Sequence, residues 1–486
     1  MTFTQWFIFF LAIQLLHFLG TWKLYVKAGR KAWEAAVPVY NGIVLMKMIN
    51  RPKWWIILLF IPVVNLLMFP VIWIETIRTF GFYKKLDSFL VIVTLGLYIF
   101  YINYTTDTKY NSDRSLKPRS ELGEWVSSIA FAIIAATLVH TYFMQPFTIP
   151  TSSLEKSLLV GDYLFVSKFH YGARVPSTVI AAPMVHDSIP LTSKASYLKK
   201  PQLPYTRLPG LQKIKNNDIV CFNWPADTLA TMWGDNSGKF TYKPVDKKTN
   251  YVKRCVGIAG DSLEMRNGYF YINGIKNTLP DRAKLQFYYT YESKESINRS
   301  NYPKFLIGKE RTGVYKILSE YWDNSKVQDA IKKNGSLSKI GSDSLYTEVV
   351  GGINPDFARK LKMVSVDNKI NINLTDDEVA RLEKHPLTVS LKKVNHGSDN
   401  GIFPHVEKLG WSQDNFGPIY IPEAGATVKL DSESLPFYEQ IIKNYENNDL
   451  NVVGKNIYIN GEKVDSYTFK QDYFYLVGDN RHNSLD

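Results

Sequence analysis

Residues 125–169 read WVSSIAFAIIAATLVHTYFMQPFTIPTSSLEKSLLVGDYLFVSKF, and the character of the sequence changes within this stretch. The first part, Trp125–Met144, is apolar and has the length of a membrane span, which takes roughly 17–25 residues. After Pro146 the chain continues as short runs of strand-forming residues punctuated by Gly, Pro and Asn-Gly, which is typical of a domain with many short strands. The stretch therefore predicts a membrane anchor followed by a β domain.

Three segments nearer the N-terminus are also apolar over most of their length: Trp6–Leu24, Trp54–Trp73 and Phe89–Tyr104. The second contains two prolines, so we expect it to be kinked or re-entrant. The first lacks a basic n-region and a cleavage site, which predicts a retained span. Lysines and arginines are concentrated in the loops after the first span and before the fourth. The positive-inside rule then places the N-terminus, and everything after about residue 147, outside the cytoplasm.

The predicted organisation has four parts. Residues 1–124 form an N-terminal membrane region with about three spans, and residues 125–144 form a transmembrane anchor. Residues 145–274 and 451–486 form a mostly antiparallel β domain. Residues 275–450 are polar and rich in Lys, Ser and Asn, with mixed helix and strand signals, so we expect a large inserted α+β domain.

Two hairpins are predicted inside the β domain, at YFYINGIKN (269–277) and at NIYINGEKV (456–464). In each of them an Asn-Gly pair separates two short apolar runs. Asn and Gly tolerate the two positive φ angles of a type I′ turn, whose twist matches that of the flanking strands. Two such hairpins are too few for a repeat architecture.

Composition argues against several classes of function. The eight histidines and two cysteines show no metal-ligand spacing, and there is no Walker loop or dinucleotide fingerprint, so we predict no metal and no cofactor. Cys221 and Cys255 lie in strand-like runs and are expected to be small buried residues. The net charge of +13 is not taken as a sign of nucleic-acid binding, because much of the positive charge lies in loops that flank spans.

Two interpretations of IPTSSLEKSLLVGD (149–162) are open from the stretch alone. Ser152 and Glu155 have the spacing of a capping box at the start of a helix. Alternatively, one of the two adjacent serines is a nucleophile, in which case it needs a neighbouring base. A lysine can be that base when burial lowers its pKa.

A candidate base lies in NYVKRCVGIAG (250–260), where Lys253 follows an apolar strand residue. Strand alternation directs Lys253 and Cys255 to one face and Arg254 to the other. A lysine on an inward face is costly unless it is deprotonated or paired, which favours a catalytic amine. A solvated or salt-bridged strand lysine is the alternative that this segment leaves open.

The segment VGDNRHNSLD (477–486) is dense in polar groups directly after the apolar YFYL. Its Gly-Asp-Asn is turn chemistry, so an ordinary loop is one interpretation. The functional interpretation is a loop that places Ser484 and Asp486 beside another strand.

Four blocks together resemble the type I signal peptidases, the membrane-anchored Ser-Lys endopeptidases of bacteria. These blocks are QPFTIPTSSLEKSLLVGDYLFVSKFHYGARVP (145–176), NNDIVCFNWP (216–225), NYVKRCVGIAGDSLE (250–264) and YLVGDNRHNSLD (475–486). The resemblance implies a membrane-bound serine endopeptidase that removes signal peptides from exported proteins. It also implies a multi-pass protein of the bacterial inner (plasma) membrane with its catalytic domain on the periplasmic side. The implied partners are preproteins, the lipid bilayer and the protein export machinery.

The resemblance also implies roles for individual residues. The family's nucleophile falls on Ser153 and its general base on Lys253. The oxyanion hole falls on the backbone N–H of Ser153 and the hydroxyl of Thr151. Such a preformed donor pair stabilises the negative charge that develops on the scissile carbonyl oxygen.

Further positions are implied to support this centre. Ser484 matches the serine that orients the lysine, and Asp486 matches an aspartate that would lie near Arg254 and brace the site. The family continues past this aspartate with Ser-Arg and another strand, so the resemblance implies either a truncated chain or a domain that lacks this strand. The shallow substrate pockets, which accept small side chains, are implied to be lined by Phe147, Ile149, Leu154, Leu158 and Val252.

Departures from the family leave alternatives open. Relatives commonly read Ser-Gly-Ser-Met with a proline two residues further on, whereas this chain has Thr151, Ser152 and Leu154 around Ser153, and Lys156 in place of the proline. We expect Ser152 to put a Cβ where glycine would permit unusual torsions. One alternative is therefore a catalytically inactive paralogue that binds preproteins or the export machinery. The other is a membrane-tethered structural or sensory β domain.

Overall fold

The computed structural model of the protein describes residues 2–118, 120–192, 194–227, 240–297, 302–309, 311–395, 397–399 and 401–485. The chain divides into two compact units. The first comprises residues 1–147, 163–213 and 221–251, and the second comprises residues 148–162, 214–220 and 252–486. Each unit has its own buried apolar residues.

The first unit is mainly helical. Its helices are α1 (Phe3–Lys27), α2 (Tyr40–Met48), α3 (Trp55–Leu58), α4 (Val64–Thr79), α5 (Lys85–Val93), α6 (Tyr98–Thr105) and α7 (Glu121–Leu138). Helix α1 begins at a capping box in which Thr2 and Gln5 satisfy each other's backbone N–H groups. A core of apolar side chains from α1, α2, α4, α5 and α6 holds this bundle together.

Two of the four predicted spans are single helices of sufficient length and hydropathy to cross a membrane. Phe3–Lys27 has a mean hydropathy of 1.6, and Glu121–Phe143, in which a π-helical turn extends α7, has a mean hydropathy of 1.8. In both helices most apolar side chains are exposed, as they would be if they faced lipid.

The two middle segments do not form straight spans. Residues 54–73 are divided between α3 and α4, and the break includes Pro62 and Val63, whose φ is 68°. Helices α5 and α6 meet at an angle of 117° at a break that contains Gly96. Within the described part of residues 1–124, one helix and at most one bent pair therefore meet the criterion for a span. Proline and left-handed residues interrupt the helical hydrogen bonding of the two middle segments, and about three spans in this region stays a prediction.

A short β structure follows the helices in the first unit. Strand β1 (Met144–Thr148) begins directly after the π-helical turn that ends α7, and it pairs with β2 (Tyr163–Ser167). Strands β3 (Arg174–Val175) and β4 (Thr206–Arg207) form a second antiparallel pair. Helix α7 and its π-helical turn therefore lead without a linker into the strand that precedes the adjacent serines.

Five strands come next along the chain, of which the second carries the candidate base Lys253: β5 (Ile219–Asn223), β6 (Asn250–Gly257), β7 (Ser262–Arg266), β8 (Tyr269–Ile272) and β9 (Ile275–Lys276). Strands β8 and β9 form the first predicted hairpin, and Asn273 and Gly274 have φ angles of 52° and 80°. The second predicted hairpin has 54° and 85° at Asn460 and Gly461. Both hairpin predictions are confirmed.

The predicted insertion contains a six-stranded antiparallel sheet. Its strands are β10 (Gln286–Ser293), β11 (Arg311–Leu318), β12 (Gly335–Ser342), β13 (Tyr346–Ile353), β14 (Val364–Thr375) and β15 (Thr388–Lys393), in the order β12-β13-β11-β14-β10-β15. Helices α8 (Ser319–Trp322), α9 (Ser325–Asn334), α10 (Pro355–Lys360) and α11 (Asp376–Glu383) connect them. Alternate residues of β10 are buried, which is the pattern of a strand with one face on a core.

The remaining part of the predicted insertion has a different structure. Strand β16 (Phe416–Tyr420) pairs with β7, so the chain rejoins the β domain well before residue 450. The elements that follow are β17 (Thr427–Lys429), α12 (Leu435–Gln440), β18 (Leu450–Val453), β19 (Asn456–Ile459), β20 (Glu462–Val464), β21 (Ser466–Thr468) and β22 (Tyr475–Val477). Strand β22 lies next to β6, which is the middle strand of the sheet β22-β6-β5.

Candidate active site

The adjacent serines lie in a tight turn. Residues Ser152–Leu154 form one turn of 3₁₀-helix, and Thr151, with an extended backbone, precedes it. The capping-box interpretation is wrong, because Thr151 occupies the N-cap position and the turn ends at Leu154, with Glu155 as its C-cap. Leu154 is 2% exposed and anchors the turn in the protein interior.

Asparagines from the C-terminal loop hold this turn. The carbonyl oxygen of Ser153 accepts a hydrogen bond from the backbone N–H of Asn480 at 3.0 Å. The side-chain amide of Asn480 donates to the carbonyl oxygen of Ser152 at 3.2 Å, and that of Asn483 donates to the Ser152 hydroxyl at 2.8 Å. Ser152 does not have a positive φ. The expected strain from its Cβ is therefore not observed, and its hydroxyl has a hydrogen-bonding partner of its own.

Lys156, which stands where relatives commonly have a proline, has a backbone conformation that a proline could not adopt. This exposed residue has a φ of 71°, in the left-handed region. A proline ring fixes φ near −65°, so a proline could not occupy this conformation. The chain beyond Ser153 therefore follows a path that the family's proline would not allow.

Lys253 is buried at the middle of β6. The residue is 2% exposed, and its Nζ donates a hydrogen bond to the Oγ of Ser484. The structure therefore brings together the predicted base and the serine that is predicted to orient it. Lys253 and Ser484 are 231 positions apart in the chain.

Gly478 lies between the serine turn and Ser484. Strand β22 pairs with β6 in a register that sets Val477 opposite Arg254, so the chain leaves the sheet at Gly478 beside Lys253. A Cβ added at Gly478 would lie 2.5 Å from the carbonyl oxygen of Ser153 and closer still to Ser484 Oγ. Only a residue without a side chain allows the two serines to approach this closely.

Replacing Gly478 by alanine is expected to destabilise the protein by about 1–3 kcal/mol, since the added methyl group displaces backbone as well as a side chain. Chemical denaturation of the full chain in detergent measures this change in the free energy of unfolding. Gly352→Ala in β13 is the matched control, because a Cβ there meets nothing within 4 Å. An equal loss of stability in the two variants would contradict the close approach of Gly478 to Ser153 and Ser484.

Arg254, the neighbour of Lys253, forms a buried ion pair. Its Nε and Nη2 donate to the two carboxylate oxygens of Asp479 at 2.7 and 2.6 Å, and its Nη1 donates to the carbonyl oxygen of Asn217 at 2.7 Å. The hydroxyl of Ser157 also donates to Asp479, at 2.5 Å. This carboxylate therefore ties β6, the C-terminal loop and the serine segment together.

The carboxylate observed beside Arg254 is not one that the resemblance named. The resemblance implied an aspartate near Arg254 at position 486, which lies outside the described residues, whereas the bidentate pair observed is with Asp479. Sequence reasoning missed Asp479 and the two loop asparagines as residues of the site. Their concentration in one short loop directly after an apolar strand was the available signal.

The other predicted site residues have varied surroundings. Thr151 is exposed, and its side chain makes no capping hydrogen bond to the 3₁₀ turn. Among the five residues predicted to line the pockets, Ile149 is 6% exposed and Leu154 is 2% exposed, so they offer little surface to a ligand. The remaining three are partly exposed: Phe147, Leu158 and Val252.

The thiols of Cys221 and Cys255 both have raised pKa values. Burial raises the pKa of the Cys255 thiol to about 12, so that the thiol is protonated at neutral pH. Burial also raises the pKa of Cys221. Within the part of the chain that the structure describes, no group of three His, Cys, Asp or Glu residues could hold a metal ion.

Comparison with protein families gives two matches. Residues 122–326 match the family described as signal peptidase, peptidase S26. Residues 33–113 match a family of unknown function, DUF5684. The first match includes Ser153 and Lys253 and ends before β22, while the second lies within the N-terminal helical region.

Curated proteins named Signal peptidase I are also similar to this chain. The protein of Rickettsia rickettsii (strain Sheila Smith) is 27% identical over 217 residues, which are 45% of this chain and 63% of the relative. The protein of Rickettsia akari (strain Hartford) is 28% identical over 213 residues, which are 44% of this chain and 62% of the relative. The chain thus spans about three fifths of the length of these relatives. No solved structure matches it.

Proposed function

We propose, because this chain belongs to the type I signal peptidase family, that it is a serine endopeptidase that removes N-terminal signal peptides from exported proteins. The observation that carries the proposal is the hydrogen bond from the buried amine of Lys253 to Ser484 Oγ. Ser484 lies in the same loop as Asn480, which donates to the carbonyl oxygen of Ser153. These contacts support the proposed roles of Ser153 as the nucleophile, Lys253 as the base and Ser484 as the residue that orients the lysine.

The chemistry starts with acylation of Ser153. Neutral Lys253 accepts the proton of the Ser153 hydroxyl while Oγ forms a bond to the scissile carbonyl carbon. The tetrahedral intermediate then collapses and its C–N bond breaks. The departing amine takes the proton from Lys253, and the mature protein leaves with a new N-terminus.

Deacylation uses the same residues. Lys253 removes a proton from a water molecule, whose oxygen attacks the ester carbon of the acyl-enzyme. The bond between Ser153 Oγ and this carbon breaks, and the proton returns to Ser153. The products are the free signal peptide and the unmodified chain.

The proposed oxyanion hole consists of the backbone N–H of Ser153 and the hydroxyl of Thr151. The extended backbone of Thr151 and the absence of a capping role for its side chain support this assignment. Loss of one such donor typically costs about 10²–10³ in rate.

The proposed location is the bacterial inner membrane. Helices Phe3–Lys27 and Glu121–Phe143 support anchoring, since both meet the length and hydropathy of a span. The catalytic domain would lie on the periplasmic side, where exported preproteins emerge. Preproteins and the bilayer are the proposed partners, and the export machinery is a further one.

The test is processing of a preprotein by the full chain purified in detergent. We expect release of the signal peptide, and N-terminal sequencing of the product should place the cut after small residues in an Ala-x-Ala-like pattern. Protein with Ser153→Ala, purified in the same way, controls for a co-purifying peptidase. Binding of the preprotein without cleavage would contradict the proposal and favour an inactive paralogue.

A further inference from the structure

The loop that carries Ser484 contains a histidine buried against the inserted sheet. The side chain of His482 is 0% exposed. Its Nε2 lies 2.8 Å from Oδ1 of Asp414, which precedes β16. Its Nδ1 lies 3.0 Å from the backbone nitrogen of Tyr288 in β10.

These partners assign the tautomer of the imidazole. A backbone N–H can only donate, so Nδ1 of His482 accepts from Tyr288 and carries no proton. Nε2 therefore carries the proton of the neutral ring and donates to the carboxylate of Asp414. Both ring nitrogens are used, and each one contacts a different segment of the chain between β9 and β17.

Other bonds attach the same loop to the inserted sheet. The backbone of Gln286 in β10 donates to the carbonyl oxygen of Asp479 and accepts from the N–H of Arg481, both at 3.0 Å. The side chain of Asn373 in β14 donates to Asn480 at 2.8 Å. The side chain of Gln413 donates to the carbonyl oxygen of Arg481 at 2.9 Å.

The loop therefore has two faces with different partners. Toward the catalytic strands, Asp479 binds Arg254, Asn480 binds the serine turn and Ser484 binds Lys253. On its other side, the loop binds β10, β14 and the segment before β16. A rigid support on that side limits how far Ser484 can move away from the amine.

We propose that His482 is a positioning residue, which through Asp414 and the backbone of Tyr288 makes the inserted sheet the support that holds Ser484 against Lys253. This inference rests on the proposed function, because its readout is peptide-bond cleavage. It assigns a role in the active site to the inserted sheet, which does not itself contact the substrate in the mechanism above.

Replacement of His482 by alanine tests the role. We expect kcat for preprotein cleavage to fall by up to about 10²-fold, as misplacement of a catalytic group typically does, with KM unchanged. His482→Asn keeps an acceptor near the Nδ1 position, and His482→Gln keeps a donor near the Nε2 position. Each is expected to retain more activity than the alanine variant. His385→Ala is the matched control, because His385 also accepts from a backbone N–H of the insertion, that of Leu387 at 3.4 Å.

A double substitution shows whether the effect passes through Ser484. In a Ser484→Ala background, His482→Ala should lower kcat no further, since the contact that it supports is already absent. Independent losses that multiply would overturn the proposal, and so would a normal kcat in His482→Ala. If the alanine variant does not fold, the asparagine and glutamine variants provide the same comparison. Failure of the unaltered chain to cleave would instead count against the proposed function.

Discussion

Replacing Ser153 by alanine is expected to reduce preprotein cleavage by about 10⁴–10⁶-fold, and Lys253→Ala should do the same. In the proposed mechanism the two residues act as a unit, so that removing either one removes the activated nucleophile. The fall is expected in kcat, which is measured with a preprotein or a signal-peptide substrate in detergent. Helix α7 and its membrane insertion should be unaffected, because neither side chain belongs to it.

Ser152→Ala is the matched control for the nucleophile. This substitution removes the same group from the neighbouring position and deletes one hydrogen bond, that from Asn483. Such a bond is worth about 0.5–1.5 kcal/mol, so the rate should fall by no more than about tenfold. If Ser152→Ala abolished cleavage while Ser153→Ala preserved it, the assignment of the nucleophile would be wrong.

The second large effect concerns stability. Asp479→Ala should lower the free energy of unfolding by about 3–5 kcal/mol, because it leaves the guanidinium of Arg254, a residue that is 3% exposed, without its carboxylate. Chemical denaturation of the full chain in detergent measures the change. Ser157 would also lose the acceptor for its hydroxyl.

A double variant separates the cost of an unpaired charge from the value of the pair. Arg254→Met combined with Asp479→Leu replaces both charges by apolar groups and should be less destabilising than Asp479→Ala alone. Glu433→Ala is the control for an exposed pair, since Glu433 and Lys408 have side chains that are 79% and 64% exposed. It should cost no more than about 1 kcal/mol. If Asp479→Ala also lowered the free energy of unfolding by no more than about 1 kcal/mol, the buried pair would not stabilise the fold.

Local sequence signals predicted local structure well. Asn-Gly between short apolar runs predicted two hairpins, because few other residues tolerate two consecutive positive φ angles. Length and hydropathy located the long apolar helices Phe3–Lys27 and Glu121–Phe143. The segment from residue 54 to 73 was harder, since its mean composition suits a span, while α3 ends at Leu58 and the left-handed Val63 is the N-cap of a separate helix, α4.

The sequence likewise identified only some of the residues of the candidate site. The resemblance of four blocks pointed to Lys253 and Ser484, which the structure brings into contact. It did not identify Asp479 as the partner of Arg254, nor His482 as a link to the inserted sheet. Those pairings depend on the register between β22 and β6 and on strands from another part of the chain.

The sequence by itself determined the order of apolar helices and short strands, the hairpin turns and the residue types available for serine chemistry. These properties depend on periodicity and on backbone preferences over a few neighbouring residues. Only the tertiary structure decided which polar groups meet around the serine turn, because the groups are far apart in the chain. Ser157 and Asp479 are separated by 322 positions and bond at 2.5 Å. Burial makes each such group require a partner, and the packing of distant strands determines which partner it finds.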